Sequence, residues 1–126
     1  MVCIRVSRFS FADVPHLAVP YCLHRAVHVE DAARAHQLAL LRPIPGPTTV
    51  VVSAASPYRP EDLRELLTGA DAVLRRRAPA VAAAMTATGV PLPRRVDRVY
   101  SIDTAIAVLG YRPDHGVLEL LSLPRR

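Results

Sequence analysis

Apolar and polar positions alternate at the amino terminus, where Val2, Ile4 and Val6 are separated by Cys3 and Arg5. A period of two predicts a β-strand with those three side chains on one face. Further on, Val29, Ala32, Ala33, Leu40 and Leu41 recur at roughly helical spacing. The predicted helix opens with Glu30 and Asp31, whose carboxylates suit the exposed amides and positive dipole end of a first turn. Pro43 closes it, because proline cannot continue the hydrogen-bond ladder. After the stiff connector Pro43-Ile-Pro-Gly-Pro47, the run Thr48 to Ala55 is β-branched and apolar at successive positions, which predicts a strand buried on both faces.

Pro60 suits a first helical position, Glu61 and Asp62 a first turn, Leu63, Leu66 and Leu67 an apolar stripe, and Gly69 the end of that helix. Another helix is expected from Pro79 through Thr88, stopped by Gly89. Val90 to Asp97 reads as extended and Arg98 to Ile102 as a short strand. Asp103 is expected to cap a helix that Gly110 stops, and a closing helix turns Val117, Leu120 and Leu121 inward, with His115 exposed near the preceding turn. Phe9 to Leu23 shows no sustained period and reads as a loop. The expectation is a small α/β fold, one domain over residues 1–126, with few strands and about four helices.

Composition narrows the setting. The chain has 126 residues, 51% of them hydrophobic, and a mean hydropathy of +0.20, enough for one core. No apolar run approaches the roughly 20 residues of a membrane helix, and Arg5, Arg8 and Asp13 break any signal-peptide pattern, so a cytoplasmic chain without a membrane partner is expected. Cys3 and Cys22 have no metal or redox spacing. All sixteen basic residues are arginine and the net charge is +5. With aromatics at 5% and no nucleic-acid-binding signature, a nucleic-acid partner is not expected. Arginine does suit a small organic anion, because its planar fork grips a phosphate or carboxylate with two hydrogen bonds.

The chemistry-bearing residues cluster before the first helix: His24, Arg25, His28 and then Asp31. Histidine titrates near neutrality and serves as acid or base, and an arginine beside it stabilises developing negative charge. The competing reading is structural, with His28 and Asp31 seating the helix against the sheet. His36 lies about 80° around the helix from His28. No carboxylate or cysteine completes a ligand set with His24, His28 and His36, so no metal is expected.

The run Arg25-Ala-Val-His28-Val-Glu-Asp31-Ala-Ala-Arg-Ala resembles a segment of the NAD-dependent epimerase/dehydratase family, the extended short-chain dehydrogenases. Asp97-Arg-Val-Tyr100-Ser-Ile-Asp103-Thr-Ala105, followed by Leu109-Gly-Tyr-Arg-Pro113, is similar to that family's ending. The resemblance covers nearly the whole chain and only the carboxy-terminal, substrate-binding part of the family. It implies a parallel sheet in which the first strand has lost its neighbours, and an edge of that kind is an association template. A homodimer is therefore expected. It also implies that Arg94 or Arg95 contacts a nucleotide diphosphate, that Arg25 is a further anion ligand although the family arginine often stands where this chain has His24, and that His16 and Tyr21, with Phe9 and Phe11, cover a substrate.

Two features of the family are absent. None of the five glycines stands in a phosphate-cradling fingerprint, and without lysine there is no Tyr-x-x-x-Lys pair. No nicotinamide or other cofactor is expected. The sequence thus points to a cofactor-independent isomerase, lyase or cyclase acting on an anionic sugar-type or natural-product intermediate, with His28, His24 and Asp31 catalytic and Arg25, Arg94, Arg95, Tyr21 and His16 binding. The alternative is a non-catalytic ligand-binding or accessory subunit that partners a complete dehydrogenase.

Overall fold

The amino-terminal alternation becomes strand β1 (Val2–Val6), which pairs in parallel with β4 (Thr48–Val52) in the register Val2 to Thr48, Ile4 to Val50 and Val6 to Val52. The computed structural model describes residues 1–9 and 15–122, and the side chains of residues 15–18 lie outside that description. Phe11 and the side chain of His16 are therefore not among the described groups. Among the described residues the fold is a small α/β arrangement of six helices and four short strands in two two-stranded sheets, more helical than the expected four helices.

Val2, Ile4 and Val6 share a face with Val50 and Val52. That face packs with Ala32, Ala35 and Leu38 of helix α2 (Val29–Leu41) and Ala105 and Leu109 of a later helix. The other face is not covered. Cys3, Arg5 and Thr49 are exposed and Val51 half-buried, so β4 is buried on one face rather than two. Beyond Val6 the strands diverge. Ser7 N–H still donates to Val52 at 3.0 Å, and then β2 (Arg8–Phe9) pairs in parallel with β3 (Ala26–Val27). The Ala26 carbonyl accepts from Ala54 N–H at 2.8 Å and from Ser53 Oγ at 3.1 Å, so β3 enters between the two diverging strands.

The stretch read as a loop contains helix α1 (Pro15–Cys22). Pro15 takes a first helical position, where its missing N–H is no loss, and Pro20, which reads as a breaker, sits inside the helix. Val19, Cys22 and Leu23 bury in a second, helical core. That core also takes Leu66, Val73 and Leu74 from α3 (Leu63–Arg77), Ala82 and Met85 from α4 (Pro79–Ala87), and Val117 and Leu120 from α6 (Val117–Ser122). The expected inward face of α6 is present.

Helix α3 does not end at Gly69. The chain bends there, with Gly69 at φ −148° and ψ 48°, and the helix resumes to Arg77. A straight 15-residue helix would hold its ends about 22 Å apart. The bend instead brings Arg77 Nε within 2.9 Å of Asp62 Oδ2, and Arg76 within 2.7 Å of Glu65, so part of the Arg75-Arg76-Arg77 run fastens the last turn to the first. The expected strand over Arg98 to Ile102 is irregular chain, tied by Tyr100 N–H to the His24 carbonyl at 2.9 Å. Helix α5 (Asp103–Leu109) ends at Gly110, whose φ of +66° is a left-handed stop that glycine adopts without strain. Asp103 is its first residue rather than its cap; Ser101 Oγ accepts Asp103 N–H at 3.2 Å. No helix among the described residues is long and apolar enough to cross a membrane.

Candidate functional site

Helix α2 begins at a cap made by an imidazole. His28 is extended, at φ −73° and ψ 144°, and its Nδ1 accepts Glu30 N–H at 3.3 Å. This satisfies one of the orphan donors of the first turn. Asp31, one turn in, is fully buried. A carboxylate can be buried only where its oxygens are hydrogen-bonded, and here Oδ1 accepts Asp114 N–H and Oδ2 accepts His115 N–H, both at 3.0 Å. The first turn of α2 is thereby sewn to the chain between α5 and α6, and Arg34 pairs with Asp114 one turn further along.

That seam brings in His115, which the sequence pattern places in solvent. The His115 imidazole stacks on that of His28 with centroids 4.0 Å apart and planes 14° from parallel, and its side chain is only 17% exposed. His115 Nδ1 lies 3.2 Å from Asp31 Oδ1, and Nε2 lies 3.3 Å from Glu30 Oε2 and 3.8 Å from Glu119 Oε1. Burial opposes protonation of this ring, but Asp31, Glu119 and Glu30 together outweigh it and raise the His115 pKa above the ordinary histidine value. Two imidazoles ringed by three carboxylates can hold a proton or a cation. An organic anion would meet the negative charge of Glu30, Asp31 and Glu119 there.

The other predicted site residues are dispersed. His24 is buried, and burial, followed by the charge of Arg25, lowers its pKa; the Arg98 backbone and Asp97 partly oppose that shift. Arg25 lies 4.7 Å from the centre of the Tyr21 ring, and Arg8 lies at the same distance, so Tyr21 is held in cation–π contact. Arg94 and Arg95 are exposed and make no contact with His24 or His28 among the described interactions. Arg94 instead lines a groove of about 440 Å³ with Asp71, Arg75, Thr86, Gly89, Val90, Pro91 and Leu92. Among the described residues neither Arg75 nor Arg94 forms a side-chain ion pair, in contrast to Arg76 and Arg77.

Sequence reasoning missed His115 because its partners are far away along the chain. The Asp31 carboxylate that anchors it was legible, and a buried carboxylate demands donors, but nothing in the local pattern names Asp114 and His115 as those donors. No protein-family model, curated protein or solved structure matches this chain.

Proposed function

We propose that this chain is a non-catalytic binding module for a small organic anion carrying phosphate or carboxylate groups, held in the groove between α3 and the Val90–Arg95 segment. One observation carries the reading: Arg75 and Arg94 line the same groove, and neither is paired with a carboxylate among the described residues. Two guanidiniums free of competing ion pairs present the fork geometry that a phosphate oxygen pair takes. Asp71 on the groove wall offsets one positive charge, so the groove keeps a net positive charge for an anionic group. The resemblance to epimerase/dehydratases agrees, since it implies diphosphate contact at the position of Arg94. The residues expected to catalyse are engaged elsewhere: Asp31 joins α2 to the following chain, His28 caps α2, and neither lines this groove.

Titration calorimetry with inorganic pyrophosphate and with a uridine diphosphate sugar tests this. Saturable binding that weakens about tenfold in Arg94→Ala and in Arg75→Ala, each the loss of one charge-assisted contact, is expected. Arg95→Ala, outside the groove, leaves it unchanged. Absence of saturable binding, or undiminished binding in the Arg75/Arg94 double variant, overturns the reading.

A second reading concerns assembly: the module forms a homodimer through β1. Parallel sheets are ordinarily covered on both faces, whereas Cys3, Arg5 and Thr49 face outward and β1 pairs only with β4 among the described residues. Beside that edge, Leu40 and Leu41 are 87% and 73% exposed. A second copy that pairs along β1 satisfies the free backbone edge of that strand.

A further inference from the structure

We propose that the mouth of α2 is a binding site for a divalent transition metal of the zinc class, with His28, Glu30 and His115 as protein ligands. One ligand atom from each of the three lies within 4.8 Å of the other two. Metal–ligand bonds of about 2.0–2.2 Å place tetrahedral ligand atoms about 3.3 Å apart. Glu30 Oε2 and His115 Nε2 already stand at 3.3 Å. The remaining closure belongs to His28, whose ring turns out of its stack about χ2, a soft torsion, so that its lone pair converges with that of His115.

The surroundings have the features such a site needs. Asp31 Oδ1 lies 3.2 Å from His115 Nδ1, a buried nitrogen with no other acceptor at hand, and Nε2 faces Glu30. A carboxylate behind a ligating histidine orients the ring and raises its basicity. Asp31 is itself fixed by the N–H groups of Asp114 and His115, so the orienting group is rigid. Glu119 Oε1, 3.8 Å from His115 Nε2, lies outside that group of three and is placed to accept from a water bound as the fourth ligand. His28 contributes through Nε2 once its proton moves to Nδ1, which releases the long 3.3 Å bond from Glu30 N–H. Two imidazoles with one carboxylate form a mixed nitrogen and oxygen set, suited to Zn²⁺, Co²⁺ or Ni²⁺ rather than to Mg²⁺ or Ca²⁺, which prefer oxygen alone. The ion would bridge the start of α2 and the chain leading into α6. The ligands are separate from the arginine groove, so this inference does not depend on anion binding.

The test uses the full chain, stripped with a chelator and titrated with Co²⁺ and then Zn²⁺ near pH 7.5. The expected result is one Co²⁺ per chain with the intense visible bands of a tetrahedral site, displaced by equimolar Zn²⁺ and not by Mg²⁺. His115→Gln and Glu30→Gln, both checked for retained fold by circular dichroism, are each expected to weaken binding about tenfold or more. His36→Gln leaves affinity unchanged. Failure of Co²⁺ to bind saturably, or equal affinity in His115→Gln and Glu30→Gln, overturns the proposal.

Discussion

His115 lies face to face with His28, 4.0 Å between ring centres, although one imidazole caps the start of α2 and the other comes from the chain that leads into α6. What sets this pair is Asp31, which takes the backbone N–H of His115 on one oxygen and approaches its ring with the other. Removing that carboxylate leaves two part-buried N–H donors without their acceptor. Asp31→Ala is expected to cost about 3 kcal/mol, the range for breaking a buried hydrogen-bonded charge. Urea unfolding followed by circular dichroism reads the loss. A cost below about 1 kcal/mol would show that water replaces the carboxylate and that the seam is not buried in solution.

The two perturbed histidines give stability opposite pH dependences. His115 has a raised pKa in the fold, so its contribution is full below the unfolded value of about 6.5 and is lost as pH rises through the folded value. His24 has a lowered pKa, so its contribution is full above about 6.5 and is lost as pH falls through its folded value. Stability of the chelator-treated chain is expected to peak near pH 6.5. In His115→Gln the decline on the alkaline side flattens while the acid limb stays. An unchanged alkaline limb in that variant would rule out His115 as its source.

Asp62 governs a lower pH range. The Arg77 guanidinium bonded to it, against the opposing effect of burial and with help from the Arg59 N–H and Arg76, holds its carboxyl down at about 2. Its stabilisation is therefore present above the unfolded value of about 3.9 and is lost as pH falls toward 2. The amount is about 2 kcal/mol, reduced in high salt because Arg76 is half exposed. Asp62→Asn is expected to remove most of the acid-limb slope between pH 4 and 2 and to loosen the bend at Gly69. Acid titration of both proteins, monitored by helix signal, decides it.

Elements with a strong local signal were legible in the sequence. β1 follows from alternation at Val2, Ile4 and Val6, α2 from its acidic first turn and Pro43, and α4 from Pro79 and Gly89. The failures share a cause. Of the apolar stripe Leu63, Leu66 and Leu67 only Leu66 buries; past the bend at Gly69 the buried face continues through Ala70, Val73 and Leu74, and Leu63 and Leu67 stay exposed. Leu40 and Leu41 sit on a face of α2 that nothing covers among the described residues, so apolarity there did not mean core. At the candidate sites His28 and Asp31 were identified by type, but their partners Asp114 and His115 and the meeting of Arg75 with Arg94 depend on tertiary packing that local periodicity does not encode.

The β1 edge gives the sharpest test of assembly. Met1 carbonyl accepts Thr48 N–H and Ser7 N–H donates to Val52, so odd-numbered residues turn their backbone groups toward β4. Val2, Ile4 and Val6 therefore point theirs at the free edge. A two-fold axis through Ile4 would pair two β1 strands antiparallel, with Val2 opposite Val6 of the second copy and Cys3 opposite its Arg5. Cys3 is exposed, so changing it spares the fold. Cys3→Lys would set two like-charge pairs directly across the new ladder, and Cys3→Glu two opposite pairs, each worth about 0.2–1 kcal/mol. Light scattering across a concentration series is expected to show dimerisation several-fold weaker in Cys3→Lys and several-fold tighter in Cys3→Glu. A chain that stays monomeric at every concentration, or a dimer indifferent to both substitutions, would mean that the second copy does not pair along β1.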